Sequence, residues 1–209
     1  MNNAQFRNRR HRLIQEMSPH SVAIIAAAPE VLRNGDCHYR YRQNSDFYYL
    51  TGFKEPESIA IFFSADSQDK FILFNRPRNQ AEETWTGLRA GQEGACKEYG
   101  ADESYSITEI NEIILDILAK ADKIYSTLGK NHSFDAQLIA WIKQLRKKER
   151  SGINIPTGIE DLENTDPTGQ SYFYLTRRPH EHSKGEKHNL VCAGGPEKVL
   201  PNEDGQEGK

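Results

Sequence analysis

Residues 41–56, YRQNSDFYYLTGFKEP, form the segment that most constrains the fold of this chain. Five polar side chains lead into a run of three aromatic residues that begins at Phe47, and Gly52 follows shortly after. A dense aromatic run that stops at a glycine is typical of a buried strand next to a turn. The residues alone therefore predict a polar turn, a core strand over residues 48–50 and a well-packed globular domain around it.

The composition excludes several classes of protein. The 209 residues are 36% hydrophobic and 27% charged with a net charge of −3, so we expect no nucleic acid as partner. The longest apolar run, residues 22–28, has seven residues, whereas a membrane helix needs roughly 20, so we expect no membrane partner. No apolar stretch directly follows the basic N-terminal segment, which argues against a cleaved signal peptide. Three widely spaced cysteines without a CxxC pair indicate a reducing compartment, and the predicted location is the cytoplasm.

Strand-like segments are spread over residues 1–156. The first, residues 21–28, is apolar throughout and is typical of a strand buried on both faces. Further strands are predicted over residues 58–63, 70–74 and 123–126. Because helical segments lie between these strands, the pattern predicts an α/β domain with a mostly buried sheet.

The helical segments are recognised by their apolar spacing and their caps. An amphipathic helix with a basic outer face is predicted over residues 5–17. Ser106 and Glu109 have the spacing of a capping box and are predicted to begin a second helix. Ser133 is predicted to cap the last helix, which ends in a basic run that suits a helix C-terminus.

Residues 157–209 have a different composition. They hold 7 of the 15 glycines and 4 of the 9 prolines, and no periodicity continues beyond residues 172–175. Such a segment buries too little apolar surface to offset its chain entropy, so we predict a largely irregular C-terminal tail. His180, His182 and His188 lie in it, and three imidazoles could bind zinc, copper or nickel. A solvated tail with adventitious metal affinity is the preferred interpretation, because ordering such a segment opposes binding.

No catalytic motif is evident from residue types alone. The chain contains neither of the two glycine-rich phosphate-binding patterns, and residues 1–156 contain no metal-ligand cluster. Cys37 and His38 are adjacent, but neighbours on a strand point to opposite faces, so they do not form a nucleophile–base pair. We therefore predict that Cys37 is a packing residue.

Three single residues are candidates for a functional role. Asp36 follows Asn34 and Gly35 in a predicted turn, where its simplest role is an Asx turn. Trp85 lies among polar residues, so both a core role and an interface role are open for it. Arg150 follows the basic end of the last predicted helix and would by itself be assigned to the solvent.

The segment over residues 41–56 closely resembles the N-terminal domain of the aminopeptidase P (Xaa-Pro aminopeptidase) family. Four further segments resemble the same domain in the same order: RNRRHRL (7–13), SVAIIAAAPEVLRNGD (21–36), FNRPRN (74–79) and ETWTGLRAGQ (83–92). The likeness extends over most of residues 5–150. It implies that residues 1–156 form a creatinase/aminopeptidase P N-terminal-like domain, with a mixed sheet flanked by helices.

This resemblance carries implications about chemistry. Members of the family are homo-oligomeric metallopeptidases that remove an N-terminal residue when proline is next. A following domain holds two metal ions, usually manganese, and a bridging hydroxide attacks the peptide carbonyl. The N-terminal domain shapes the pocket, partly by reaching a neighbouring subunit. The resemblance implies that Asp36 meets the substrate amino terminus, that Trp85 walls the pocket and that Arg150 orients an extended peptide.

The family likeness fades near Pro156, and no set of two Asp, one His and two Glu in family context follows it. We therefore expect a chain truncated before the catalytic domain, without a cofactor of its own and inactive alone. It would bind proline-containing peptides only when completed by a catalytic domain, and a homo-oligomer is expected. The alternative is a non-enzymatic module that pairs with itself or with a full-length peptidase, with Trp85 in the interface.

Overall fold

The computed structural model of the chain describes residues 3–64, 69–149 and 152–163. Its strands are β1 (Ser21–Ala26), β2 (Leu32–Asn34), β3 (Cys37–His38), β4 (Ile59–Phe63), β5 (Lys70–Asn75), β6 (Glu103–Ser106), β7 (Lys123–Ser126) and β8 (Ile159–Asp161). Its helices are α1 (Asn3–Glu16), α2 (Ser45–Thr51), α3 (Gln80–Thr86), α4 (Gly91–Tyr99), α5 (Ile110–Leu118) and α6 (His132–Lys147).

Six strands form one mixed sheet in the order β6-β5-β4-β1-β7-β8. The β1–β4 and β4–β5 pairs are antiparallel, whereas the β1–β7, β5–β6 and β7–β8 pairs are parallel. β2 and β3 form a separate antiparallel pair outside this sheet. The predicted α/β class with a mixed sheet is therefore confirmed.

The sheet is covered on both faces because its central strand is apolar on both sides. Alternate residues of a strand point to opposite faces. Ala23 and Ile25 of β1 belong to one buried cluster together with residues of α1, α2 and α4. Val22 and Ile24 belong to a second buried cluster together with residues of α5 and α6. The result is a three-layer arrangement in which helices shield the sheet from water.

The aromatic segment is a helix, so the strand predicted over residues 48–50 is wrong. The Asn44 side chain accepts hydrogen bonds from the backbone N–H groups of Asp46 at 2.9 Å and Phe47 at 3.0 Å, which caps α2. Gly52 ends the helix in the left-handed conformation at φ 70°, and its N–H donates to Tyr48 O. Strong caps at both ends therefore override the strand preference of the aromatic residues.

The other predicted helix starts had mixed outcomes. The capping box of Ser106 and Glu109 is present, and it opens through one 3-10 turn, Ile107–Glu109, into α5. The last helix is capped by Asn131, whose side chain accepts from Phe134 N at 3.2 Å, so the predicted cap at Ser133 is wrong. None of the described helices combines the length and the apolar character that a membrane span requires.

β8 lies beyond the domain boundary that the sequence predicted at residue 156. It pairs in parallel with β7, and the next residue, Leu162, is fully buried. The sheet therefore includes residues that the sequence analysis assigned to the tail. Residues 164–209, with His180, His182 and His188, lie outside the described residues.

Candidate functional site

Asp36 lies at the tip of a projecting hairpin. The hairpin, residues 29–40, is called the arm; all of its residues are exposed, and β2 and β3 are its two strands. Gly35 takes the positive φ of 55° that the tight turn requires. Cys37 is exposed and its thiol donates to Asp36 Oδ1 at 3.7 Å, so the predicted packing role of Cys37 is wrong. The arm therefore presents the Asp36 carboxylate to the surroundings of the domain.

The arm also carries apolar side chains without apolar cover. Val31, Leu32 and Tyr39 are each more than half exposed, and the Tyr39 N–H donates to Val31 O at 2.9 Å. A two-stranded hairpin is only marginally stable in water by itself. Exposed apolar groups that project in this way are typical of a surface that another molecule covers.

Trp85 lies on α3, and 90% of its surface is exposed. The core role that the sequence left open is therefore excluded. Leu88, just after the helix, is 84% exposed. Sequence reasoning did not single out Leu88, although it has the same polar neighbours as Trp85 and the same argument applies to it.

Ion pairs fix the position of α3. The segment from β5 to α4, residues 76–90, is called the α3 connection. Arg89 donates from one terminal nitrogen to Glu82 Oε2 at 2.5 Å and from the other to Pro77 O at 3.4 Å. A hydrogen bond from the Arg78 guanidinium lowers the pKa of the Glu83 carboxyl. Both acidic residues of the first turn of α3 are thus held by arginines outside the helix.

The base of the α3 connection is polar as well. Glu55 Oε1 accepts from Ala90 N at 2.7 Å, and Glu55 Oε2 lies 3.7 Å from a terminal nitrogen of Arg76. Within the described residues Glu55 Oε2, Arg76 Nε and Arg89 Nε are buried without a hydrogen bond. Since α3 adds no residue to either buried cluster, charge pairing rather than apolar packing positions Trp85.

The three residues that the resemblance singled out have different outcomes. Asp36 and Trp85 lie on two separate exposed segments, the arm and the α3 connection. Arg150 lies outside the described residues. In the described ranges no group of three or more His, Cys, Asp or Glu side chains is placed to hold a metal ion. The described part of the chain therefore offers contact residues, and it does not fit a metal centre.

Known proteins are similar to this chain in sequence and in fold. Residues 6–125 match the family described as Aminopeptidase P, N-terminal domain. The chain is 39% identical to the Xaa-Pro aminopeptidase of Escherichia coli K12 over 158 residues, which are 75% of this chain and 36% of that protein. It is 38% identical to the Xaa-Pro aminopeptidase of Haemophilus influenzae over 121 residues, which are 58% of this chain and 28% of that protein.

Solved structures of aminopeptidases also align with this chain. The Pseudomonas aeruginosa aminopeptidase PepP aligns with a TM-score of 0.75 and 40% identity over 78% of this chain and 37% of that one. Zinc-substituted Escherichia coli aminopeptidase P in complex with product aligns with a TM-score of 0.74 and 37% identity over 77% of this chain and 37% of that one. This chain thus matches between 28% and 37% of the length of these relatives. The chain belongs to the aminopeptidase P family, and what it carries is the N-terminal domain of that family.

Proposed function

We propose that this chain is the pocket-shaping and oligomerising N-terminal domain of a Xaa-Pro aminopeptidase that acts on proline-containing peptides in the cytoplasm. The observation that carries the proposal is Trp85, 90% exposed on a helix that two ion pairs hold in place. A fixed, exposed indole suits a surface that is completed by another molecule, because aromatic residues dominate the energetics of interfaces.

Asp36 and Trp85 have complementary tasks in this proposal. The Asp36 carboxylate, exposed at the tip of the arm, suits the protonated amino terminus of a peptide. The face of Trp85 gives an apolar wall against which a proline ring can pack. Arg150, by resemblance, orients the peptide backbone. The apolar residues of the arm support self-association, because they remain uncovered in the single chain.

We assign the metal chemistry of the family to residues outside the described part of this chain. One of the relatives is a zinc-substituted enzyme, so that protein holds a metal ion. For the enzyme to which this domain belongs we infer two manganese ions, which supply the nucleophile for peptide hydrolysis when bound. The role of the present residues is to bind and orient the peptide, so the purified chain with manganese should release no residue from a Xaa-Pro peptide.

A domain exchange tests the proposal. Residues 1–163 of this chain replace the N-terminal domain of the Escherichia coli Xaa-Pro aminopeptidase, and release of the first residue from a Xaa-Pro peptide is measured. The exchanged enzyme should be active with manganese. Trp85→Ala should lower kcat/KM by about tenfold or more.

Ile139→Ala is the matched control, because Ile139 is an exposed apolar residue on α6, far along the chain from α3. It should leave kcat/KM unchanged. A folded exchanged enzyme without activity would contradict the proposed domain role. Equal effects of Trp85→Ala and Ile139→Ala would contradict the proposed pocket role of Trp85.

A further inference from the structure

A polar hollow of about 370 Å³ opens beside α2, outside both the arm and the α3 connection. It is lined by Tyr41, Arg42, Gln43, Ser45, Tyr48 and Lys54. All six side chains end in a hydrogen-bonding group, two carry a positive charge and none carries a negative charge. By contrast, the larger hollow of about 480 Å³ between α6 and β8 is lined mainly by aliphatic and small residues. Polar side chains in the lining therefore distinguish the first hollow from the second.

Two of the residues that line this hollow, Tyr41 and Gln43, are fixed by hydrogen bonds. Gln43 Oε1 accepts from the backbone N–H groups of Ala28 and Asn44, each at 2.9 Å, and Gln43 Nε2 donates to Glu55 O at 3.0 Å. The Tyr41 hydroxyl lies 2.9 Å from Gln43 Oε1 and 3.1 Å from Ala28 O. Burial raises the pKa of Tyr41 to about 12, so its hydroxyl remains protonated and uncharged. Because these side chains are already fixed, a ligand binds here without the entropic cost of ordering them.

The two cations at the hollow are not neutralised by the described residues. Arg42 and Lys54 are exposed, and neither forms an ion pair or a hydrogen bond with the rest of the described chain. Asp46, the acidic residue nearest to Arg42 in sequence, is buried and lies with Oδ2 3.6 Å from Lys130 Nζ. Glu55, which directly follows Lys54, lies with Oε2 3.7 Å from a terminal nitrogen of Arg76. Elsewhere arginines such as Arg76 and Arg89 do pair with carboxylates. The charge at the hollow is therefore available to a ligand.

We propose that this hollow binds an oxyanion, either a carboxylate or a phosphate group, through Arg42 and Lys54. A guanidinium presents parallel N–H donors that match two oxygens of such a group, and an ammonium adds a compact charge. The exposed hydroxyl of Ser45 adds a further donor. The volume lies at the lower end of the range for small-molecule sites, about 300–1,000 Å³, which suits a small ligand or one end of a peptide.

Isothermal titration calorimetry on the whole chain tests this site with three probes. The probes are inorganic phosphate, acetyl-dialanine with a free carboxylate, and the same peptide as an uncharged amide. Saturable binding of phosphate or of the free carboxylate, but not of the amide, is expected. Arg42→Gln and Lys54→Gln should each weaken that binding by about tenfold or more, since each removes a charge-assisted contact.

Lys147→Gln is the control, because Lys147 is an exposed cation at the end of α6 and its loss changes the net charge equally. Binding of phosphate alone assigns the site to free anions, and binding of the free carboxylate alone assigns it to peptides. Equal binding by Arg42→Gln and the parent chain, an equal loss in Lys147→Gln, or no saturable binding would each overturn the proposal. None of these probes requires peptidase activity, so failure here is separate from failure of the proposed domain role.

Discussion

Trp141 lies on α6 with 1% of its surface exposed, and its indole N–H donates to Asn111 Oδ1 at 2.8 Å. Trp85 lies on α3 with 90% exposed. We predict that Trp141→Ala lowers the free energy of unfolding by about 3–5 kcal/mol, because it leaves a large cavity in the core. Trp85→Ala should change it by no more than about 0.5 kcal/mol.

Urea unfolding of the two variants, followed by circular dichroism, measures both effects. The pair is matched because the same side chain is truncated in each. A loss for Trp85→Ala as large as that for Trp141→Ala would mean that Trp85 is packed against the chain in solution. It would also remove the observation on which the proposed pocket role rests.

The burial of single residues could be predicted from the sequence better at some positions than at others. Trp141 recurs at helical spacing with Leu138 and Leu145 on α6, and such spacing is typical of a buried helix face. Local spacing could not decide between core and interface for Trp85, since that choice depends on what else folds over α3. The family resemblance supplied a role for Trp85, but no local pattern identified the Glu82–Arg89 pair that holds its helix.

The ends of α2 explain why an aromatic segment is helical. Gly52 has φ 70°, and a Cβ there would lie 2.6 Å from Phe6 Cε2, whose ring is buried. Gly35 has φ 55°, but a Cβ there would meet nothing within 4 Å. We predict that Gly52→Ala destabilises by about 2–5 kcal/mol, because backbone strain and overpacking add.

Gly35→Ala is the control for the backbone contribution. It should cost about 1 kcal/mol, since only the conformational strain remains. Thermal unfolding of the two variants gives the comparison. Equal losses would show that the Phe6 ring moves aside freely, and that the contact does not restrict the end of α2.

Sequence reasoning failed at α2 and succeeded at β1 for related reasons. Aromatic residues favour strands only as an average over many contexts. In α2 the side chain of Asn44 and the backbone of Gly52 satisfy the free ends of a short helix, and a count of residue types does not register those bonds. β1 has no competing cap, and its uninterrupted apolar run fits only a strand covered on both faces.

The ion pairs of the α3 connection lead to a prediction about local order. Arg89→Ala removes the hydrogen bonds to Glu82 and to Pro77 O. Amide hydrogen exchange of residues 80–86 should accelerate by about 10- to 100-fold, because a loss of about 1–3 kcal/mol falls on a helix outside the core. Mass spectrometry of exchanged peptides measures the effect.

Lys97→Ala is the matched control, because it breaks the exposed pair of Lys97 with Glu93 on α4. Exposed pairs of this kind contribute little to stability because water and salt screen them, so exchange in residues 80–86 should not change. Unaltered exchange in Arg89→Ala would refute the view that charge pairing holds α3.

For the whole molecule, the alternation of strands and helices gave the class of fold but not its full extent. β8 has three residues, two of them acidic, and no apolar pattern distinguishes it from the tail. Its place in the sheet comes from pairing with β7, more than thirty residues earlier in the chain. Contacts of such long range have no local signal, which is why the boundary at residue 156 was placed before the last strand.

The contribution of β8 to the whole fold can be measured by truncation. Leu162 is fully buried, its N–H donates to Ser126 O at 2.9 Å, and Lys123 pairs with Glu160 at 2.9 Å. A chain that ends at residue 156 should be less stable than one that ends at residue 163 by at least the cost of Leu162→Ala. That cost is about 2–5 kcal/mol for a buried leucine.

Leu88→Ala provides the same substitution at a site that is 84% exposed and should change stability by at most about 0.5 kcal/mol. Both chains and both point variants would be unfolded in guanidinium and followed by tryptophan fluorescence. Because both buried clusters contact one sheet, each unfolding curve should show a single transition. Equal midpoints for the two chain lengths would place β8 outside the cooperative unit, and the domain would then end at residue 156 as its sequence predicted.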